Sequence, residues 1–86
     1  MQGKADKSGE RGRRGEEPLR IEARGLRCPL PVLRLRKAVL AAPPGRRLLL
    51  VADDPAAEDD VPAFAAEMGW RCRAVGAGEW EVIRPR

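Results

Sequence analysis

Few side chains in this 86-residue chain can do covalent chemistry. His, Tyr, Thr and Asn are absent, and the only serine is Ser8. A Ser-His-Asp triad and a Cys-His dyad are therefore excluded. A structural zinc site ordinarily takes four Cys or His ligands, and this chain offers two cysteines and no histidine. No G-x-x-x-x-G-K-[ST] or G-x-G-x-x-G phosphate loop occurs either. Neither a metal nor a cofactor is expected. The nucleophiles left are Cys28, Cys72 and three lysines, Lys4, Lys7 and Lys37.

Cys28 is the best placed of these. It stands in Arg24-Gly25-Leu26-Arg27-Cys28-Pro29-Leu30-Pro31, just ahead of a helical pattern from Val32 to Leu40. Proline fits the first helical turn, whose N–H groups have no intrahelical partner, and nowhere deeper. Pro29 and Pro31 therefore put Cys28 at or next to a helix N-cap. There the dipole and unused amides favour an anion. The expectation is a thiol displayed at a helix N-terminus, with Arg27, Pro29 and Pro31 supporting the turn. Helix N-termini and nearby cations lower a cysteine from about 8.5 to about 3.5–7.5. With no histidine to act as a base, activation is expected to come from that lowering alone.

The elements that must hold this turn follow from periodicity. Met1 to Pro18 carry five basic and four acidic residues with almost nothing apolar, which reads as a disordered tail. Residues 19–86 form one domain. Leu19 to Ala23 alternate as a half-buried strand. A helix is predicted from Pro29 to about Ala42, ending before Pro43-Pro44-Gly45. Its apolar arc is Val32, Leu33, Leu35, Val39 and Leu40, with Arg34, Lys37 and Ala41 opposite. Arg36 falls inside the arc, either as a snorkelling side chain or as a partner for a buried carboxylate or a loop. Leu48 to Ala52 form an apolar run suited to a central strand, parallel to the first. Asp54 caps a turn opened by Pro55. A second helix starts near Glu58 to Asp60, takes Pro62 early and stops at Gly69. Trp70 to Val75, a Gly76-Ala77-Gly78 connection and Glu79 to Arg84 complete a hairpin. The order β-α-β-α-β-β predicts a two-layer α/β sandwich, a four-stranded mixed sheet with two helices on one face.

Net charge is +4, unevenly spread. Between residues 19 and 40, Arg20, Arg24, Arg27, Arg34, Arg36 and Lys37 face Glu22 alone. Between 53 and 67 there are six acidic residues and no basic one. Two solvated helix faces would account for this. So would a docking surface for an acidic protein or RNA that uses Arg24, Arg34 and Lys37. No apolar run reaches the roughly 20 residues of a membrane span, and no signal-peptide core opens the chain. A cytoplasmic protein without membrane contact is expected, with direct nucleic-acid binding disfavoured by the nearly balanced tail.

Leu26-Arg27-Cys28-Pro29-Leu30-Pro31-Val32, with Arg36-Lys37, Pro44-Gly45, Asp53-Asp54-Pro55-Ala56, Asp60-Val61-Pro62 and Phe64, closely resembles the TusA/SirA-like family of small sulfur-carrier proteins. The resemblance covers about residues 19 to 84. It implies the same β-α-β-α-β-β fold. It also implies that Cys28 takes a sulfane sulfur as a persulfide and relays it, a covalent carrier rather than a self-sufficient turnover enzyme. The implied partners are a sulfur-donor protein (a cysteine desulfurase or a rhodanese-like protein) and an acceptor, met by a monomer. Relatives serve tRNA thiolation, molybdenum-cofactor enzymes and sulfur oxidation. Many carry a second cysteine just after the phenylalanine of the second helix, where this chain has Ala65. Cys72 is read as a small inward strand residue. A binding or regulatory module docking through the basic helix face is the alternative function. A Cys28–Cys72 disulfide switch is the third reading, requiring Cα atoms within about 7 Å.

Overall fold

The computed structural model describes residues 17–86; the tail assigned to Met1 to Pro18 lies almost wholly outside the described residues. The elements are β1 (Leu19–Glu22), α1 (Leu30–Ala41), β2 (Arg47–Val51), α2 (Ala57–Met68), β3 (Arg71–Gly76) and β4 (Glu79–Ile83). The four strands form one mixed sheet in the order β1-β2-β4-β3. β1 runs parallel to β2, with Glu22 beside Val51; the other neighbours are antiparallel.

One sheet face carries Ile21, Leu48, Leu50, Trp80 and Val82, all buried in a single cluster with Leu35 and Val39 of α1 and Val61 and Ala65 of α2. Both helices therefore cover that face, as two-layer packing requires. The other face holds an ionic row: Glu81 accepts from Arg47 at 2.9 Å and from Arg73 at 3.1 Å. The Ala77-Gly78 turn joins β3 to β4, with Gly78 at φ +68°. α2 stops at Gly69, φ +77°, whose conformation lets Trp70 N–H reach back to the Ala65 carbonyl at 2.8 Å. Trp70 packs edge-on against Phe64.

Two expectations about the helices need correction, and one reading of Arg36 falls. In α1 the buried stripe is Pro31, Leu35, Val39 and then Ala42, whereas Leu33 is 51% and Leu40 44% exposed. The sheet covers α1 on one side and α2 on one flank, and among the described residues nothing covers the Leu33 and Leu40 side of the apolar arc. Arg36 is exposed beside these leucines. No charged residue among the described ones is buried, so Arg36 has no buried carboxylate to reach. In α2, Pro62 is the sixth residue rather than an early one, because the helix begins at Ala57. Its missing N–H leaves the Glu58 carbonyl without an intrahelical donor, on a residue exposed to solvent.

Candidate functional site

The parallel pairing of β1 and β2 builds the site. Their C-terminal ends lie side by side, so the chain leaving each strand enters the same crevice, the usual binding position in a parallel α/β layer. From β1 the chain turns at Gly25 and reaches Cys28. From β2 it runs through Ala52, Asp53 and Asp54. These three residues tie different segments together. Ala52 N–H donates to the Gly78 carbonyl at 2.9 Å. Asp53 Oδ1 accepts the Gly25 amide at 2.9 Å. Asp54 Oδ2 accepts the Cys28 amide at 2.6 Å, while its Oδ1 takes the Ala56 amide at 3.2 Å. Asp54 thus caps the turn into α2, as its position ahead of Pro55 suggested, and also fixes the cysteine backbone.

Cys28 itself is exposed. Pro29 is the N-cap of α1 and Pro31 lies in its first turn. The Cys28–Pro29 peptide is cis, within a turn closed by the Leu30 amide on the Arg27 carbonyl at 2.8 Å. Around the sulfur is a shallow recess lined by Pro29, Pro31, Val32, Asp54, Ala57 and Asp60. The Cys28 thiol donates to Asp60 Oδ2 at 3.1 Å. Asp60 is in the first turn of α2, one residue before fully buried Val61.

This environment reverses the expected direction of the thiol's ionisation. The Cys28 pKa is raised, first by the hydrogen bond to Asp60, then by desolvation, then by the charges of Asp60 and Asp54. The helix terminus does not compensate, for a reason already present in the motif. Pro29 and Pro31 have no amide hydrogen, and the Leu30 amide is spent on the Arg27 carbonyl. The two prolines thus remove two of the first-turn amides that could otherwise hold a thiolate.

The supporting and docking residues are dispersed. Arg24 is bound to Glu22 through Nε at 2.7 Å and a second nitrogen at 2.9 Å. Those bonds, with Arg20 adding to them, bring Glu22 down to about 2. Arg34 donates to the Glu22 backbone carbonyl at 3.0 Å. Two of the three proposed docking cations are therefore engaged with one residue, while Lys37 is exposed on α1. Arg27 makes no ion pair or side-chain hydrogen bond among the described residues. Asp54 and Asp60 were missed as partners of the cysteine. Asp53-Asp54 and Asp60 stood in the sequence as an acidic segment 25 to 32 residues downstream, and only the parallel strand pair shows that this segment returns to Cys28.

Cys72 sits in β3 opposite Val82, which in turn pairs with Leu48 near the start of β2. Cys28 adjoins the other end of that strand. The two cysteines form no disulfide, and the fold sets them at opposite ends of the sheet, against the switch reading. Cys72 is partly buried against the core, and burial pushes its thiol pKa up. No group of three or more potential metal ligands occurs among the described residues, and no helix there is long and apolar enough to cross a membrane.

Comparison with known families gives a match to the family described as Sulfurtransferase TusA, over residues 19–84. The match spans every strand and helix of the sheet sandwich and the whole of the cysteine crevice.

Proposed function

The chain belongs to the TusA sulfurtransferase family, and from that premise we propose that Cys28 is the residue that carries the sulfur. It accepts a sulfane sulfur from a protein persulfide, such as that of a cysteine desulfurase or a rhodanese-like donor, and passes it to an acceptor. The sulfur so relayed serves tRNA thiolation or another sulfur-using pathway. The observation that carries this reading is the exposed Cys28 sulfur at the mouth of the parallel strand pair, its backbone anchored by Asp54.

The exchange balances without a net oxidant. The Cys28 sulfur attacks the outer sulfur of the donor persulfide, forming a new S–S bond. The donor S–S bond breaks, and its cysteine leaves as a thiolate that takes up a proton. Cys28 then holds a persulfide, and the acceptor repeats the step on its outer sulfur. The nucleophile must be the thiolate.

Pro29 and Pro31 restrict the turn so that the sulfur presents one direction to either partner. Docking is assigned to the outer side of α1, where Leu30, Leu33 and Leu40 are about half exposed next to Arg36 and Lys37. Apolar side chains rimmed by cations suit a transient protein interface. Arg24 and Arg34 contribute less than their charge suggested, since Glu22 already holds them.

The test is mass spectrometry after incubation with a cysteine desulfurase and cysteine. Wild type should gain one sulfur that a reductant removes, and Cys28→Ser should gain none. Equal gain in Cys28→Ser would transfer the role to another residue and overturn the proposal.

A further inference from the structure

A carboxylate in contact with the sulfur is a poor neighbour for a residue that must react as an anion. Asp60 Oδ2 lies 3.1 Å from Cys28 Sγ, and Asp54, bonded to the Cys28 amide at 2.6 Å, places a second negative charge beside it. Both acids arrive from the α2 side of the crevice. On the cysteine's own side no cation pairs with either acid among the described residues. Arg24 is held by Glu22 and Arg34 by the Glu22 carbonyl, while Arg27 has no ionic partner among the described residues. Asp60 is also not free to swing away as a unit. Its amide bonds the Ala56 carbonyl at 2.9 Å, and the next residue, Val61, is fully buried.

Building on the reading of Cys28 as the sulfur-accepting residue, we propose that Asp60 is a latch on the empty carrier: it holds Cys28 as a hydrogen-bonded thiol until a sulfur donor presents a cationic side chain to the Asp60–Asp54 pair. The cation competes for the carboxylates, and the S–H bond then ionises. Its proton goes to water and ends on the departing donor thiolate, so that donor–S–SH and Cys28–SH become donor–SH and Cys28–S–SH. Asp60 is a positioning residue in this scheme and takes no covalent part.

The latch distinguishes the two states of the carrier. In the persulfide the hydrogen on Sγ is replaced by a second sulfur about 2.05 Å farther out. Sγ then has no proton to donate to Asp60, and the reactive atom lies beyond that contact. The loaded carrier is therefore not restrained as the empty one is. The arrangement holds back an empty carrier's thiol from stray oxidants and from reversing a completed transfer, while leaving delivery open. It also changes the kind of donor surface this crevice fits. The basic residues in the first half of the chain suggested an acidic partner, whereas the groups that face the sulfur call for a basic one.

Two measurements on the full chain test this. In the first, iodoacetamide alkylation of Cys28 is followed against pH in wild type, Asp60→Asn and Asp60→Glu, with Cys72 replaced by Ala in all three. Asp60→Asn is expected to move the midpoint down and raise the rate near neutral pH several-fold; Asp60→Glu should stay near wild type. An unmoved midpoint in a folded Asp60→Asn overturns the latch. In the second, single-turnover sulfur uptake is compared at low salt for two synthetic peptide persulfides, one flanked by lysines and one by glutamates. Wild type should load several-fold faster from the lysine peptide, and Asp60→Asn should lose most of that preference. Equal loading of wild type from both peptides overturns the cation requirement. Failure of wild type to take sulfur from either peptide or from a desulfurase removes the carrier reading itself, whatever the alkylation arm gives.

Discussion

Replacing Asp54 by alanine should be the most damaging change to a residue outside the core. Its carboxylate accepts two backbone amides, Cys28 at 2.6 Å and Ala56 at 3.2 Å. Hydrogen bonds to a charged group are worth about 1.5–3 kcal/mol each, and loss of a capping side chain about 1 kcal/mol. Asp54 is half-exposed, so water recovers part of this, and the low end of each range applies. The expected loss is about 2 kcal/mol, a large share of the roughly 5 kcal/mol available to a domain this small. With a urea slope of about 1 kcal/mol/M, the midpoint should fall by about 2 M. The melting temperature should fall by roughly 8–16 °C. Fluorescence of Trp70 and Trp80, both buried, reports the transition. Asp54→Asn keeps an acceptor for one of the two amides and should lose about half as much. A loss below about 0.5 kcal/mol for the alanine variant, the range of an ordinary surface change, would refute the view that this side chain holds the turn.

Other expectations follow from the same geometry. Leu35→Ala empties a fully buried position and should cost about 2–5 kcal/mol by urea denaturation. Leu33→Ala, on the uncovered side of the same helix, should stay within about 0.5 kcal/mol yet slow sulfur uptake from a protein donor. Gly78→Ala adds a Cβ that collides with the Ala52 carbonyl oxygen at φ +68°; it should destabilise more than Gly69→Ala, whose φ is also positive but whose surroundings are open. Glu22, lowered to about 2 by Arg24, should titrate there by carboxyl NMR, and Arg24→Ala should return it toward 4.5. Because its folded value lies below the unfolded one, its contribution to stability is present above about pH 4.5. It is lost as the pH falls toward 2.

The element order was readable because each segment's apolar period matches its final state: alternation in β1, a continuous run in the central β2, and glycine at the end of α2. Periodicity in α1 marked the apolar arc correctly as an arc. It could not say which half would be covered, because that depends on where the sheet and α2 lie. Leu33 and Leu40 are hydrophobic in the same rhythm as Leu35 and Val39, and no local signal separates them. For the site, Cys28 was conspicuous by its prolines and by elimination. Its ionisation is not legible there, because the neighbours in sequence, Arg27 and the helix terminus, point toward a lowered pKa. The groups that decide it are Asp54 and Asp60, 26 and 32 residues away. The charge segregation along the chain was visible, but parallel pairing of β1 and β2 folds the acidic segment back onto the cysteine, while Arg24 closes locally on Glu22 two residues before it.

Loops ordinarily absorb insertions and deletions more easily than the elements they join. The segment after β2 should be an exception. Ala52, Asp53 and Asp54 are consecutive, and each reaches a different segment: the Gly78 turn, the Gly25 turn and the Cys28 backbone. Adding or removing one residue there would put all three attachments out of phase at once. The length of this connection is therefore as much a part of the site as the identity of its residues. A chain with every side chain retained but one residue more between Val51 and Pro55 should fold its strands and still misplace its cysteine.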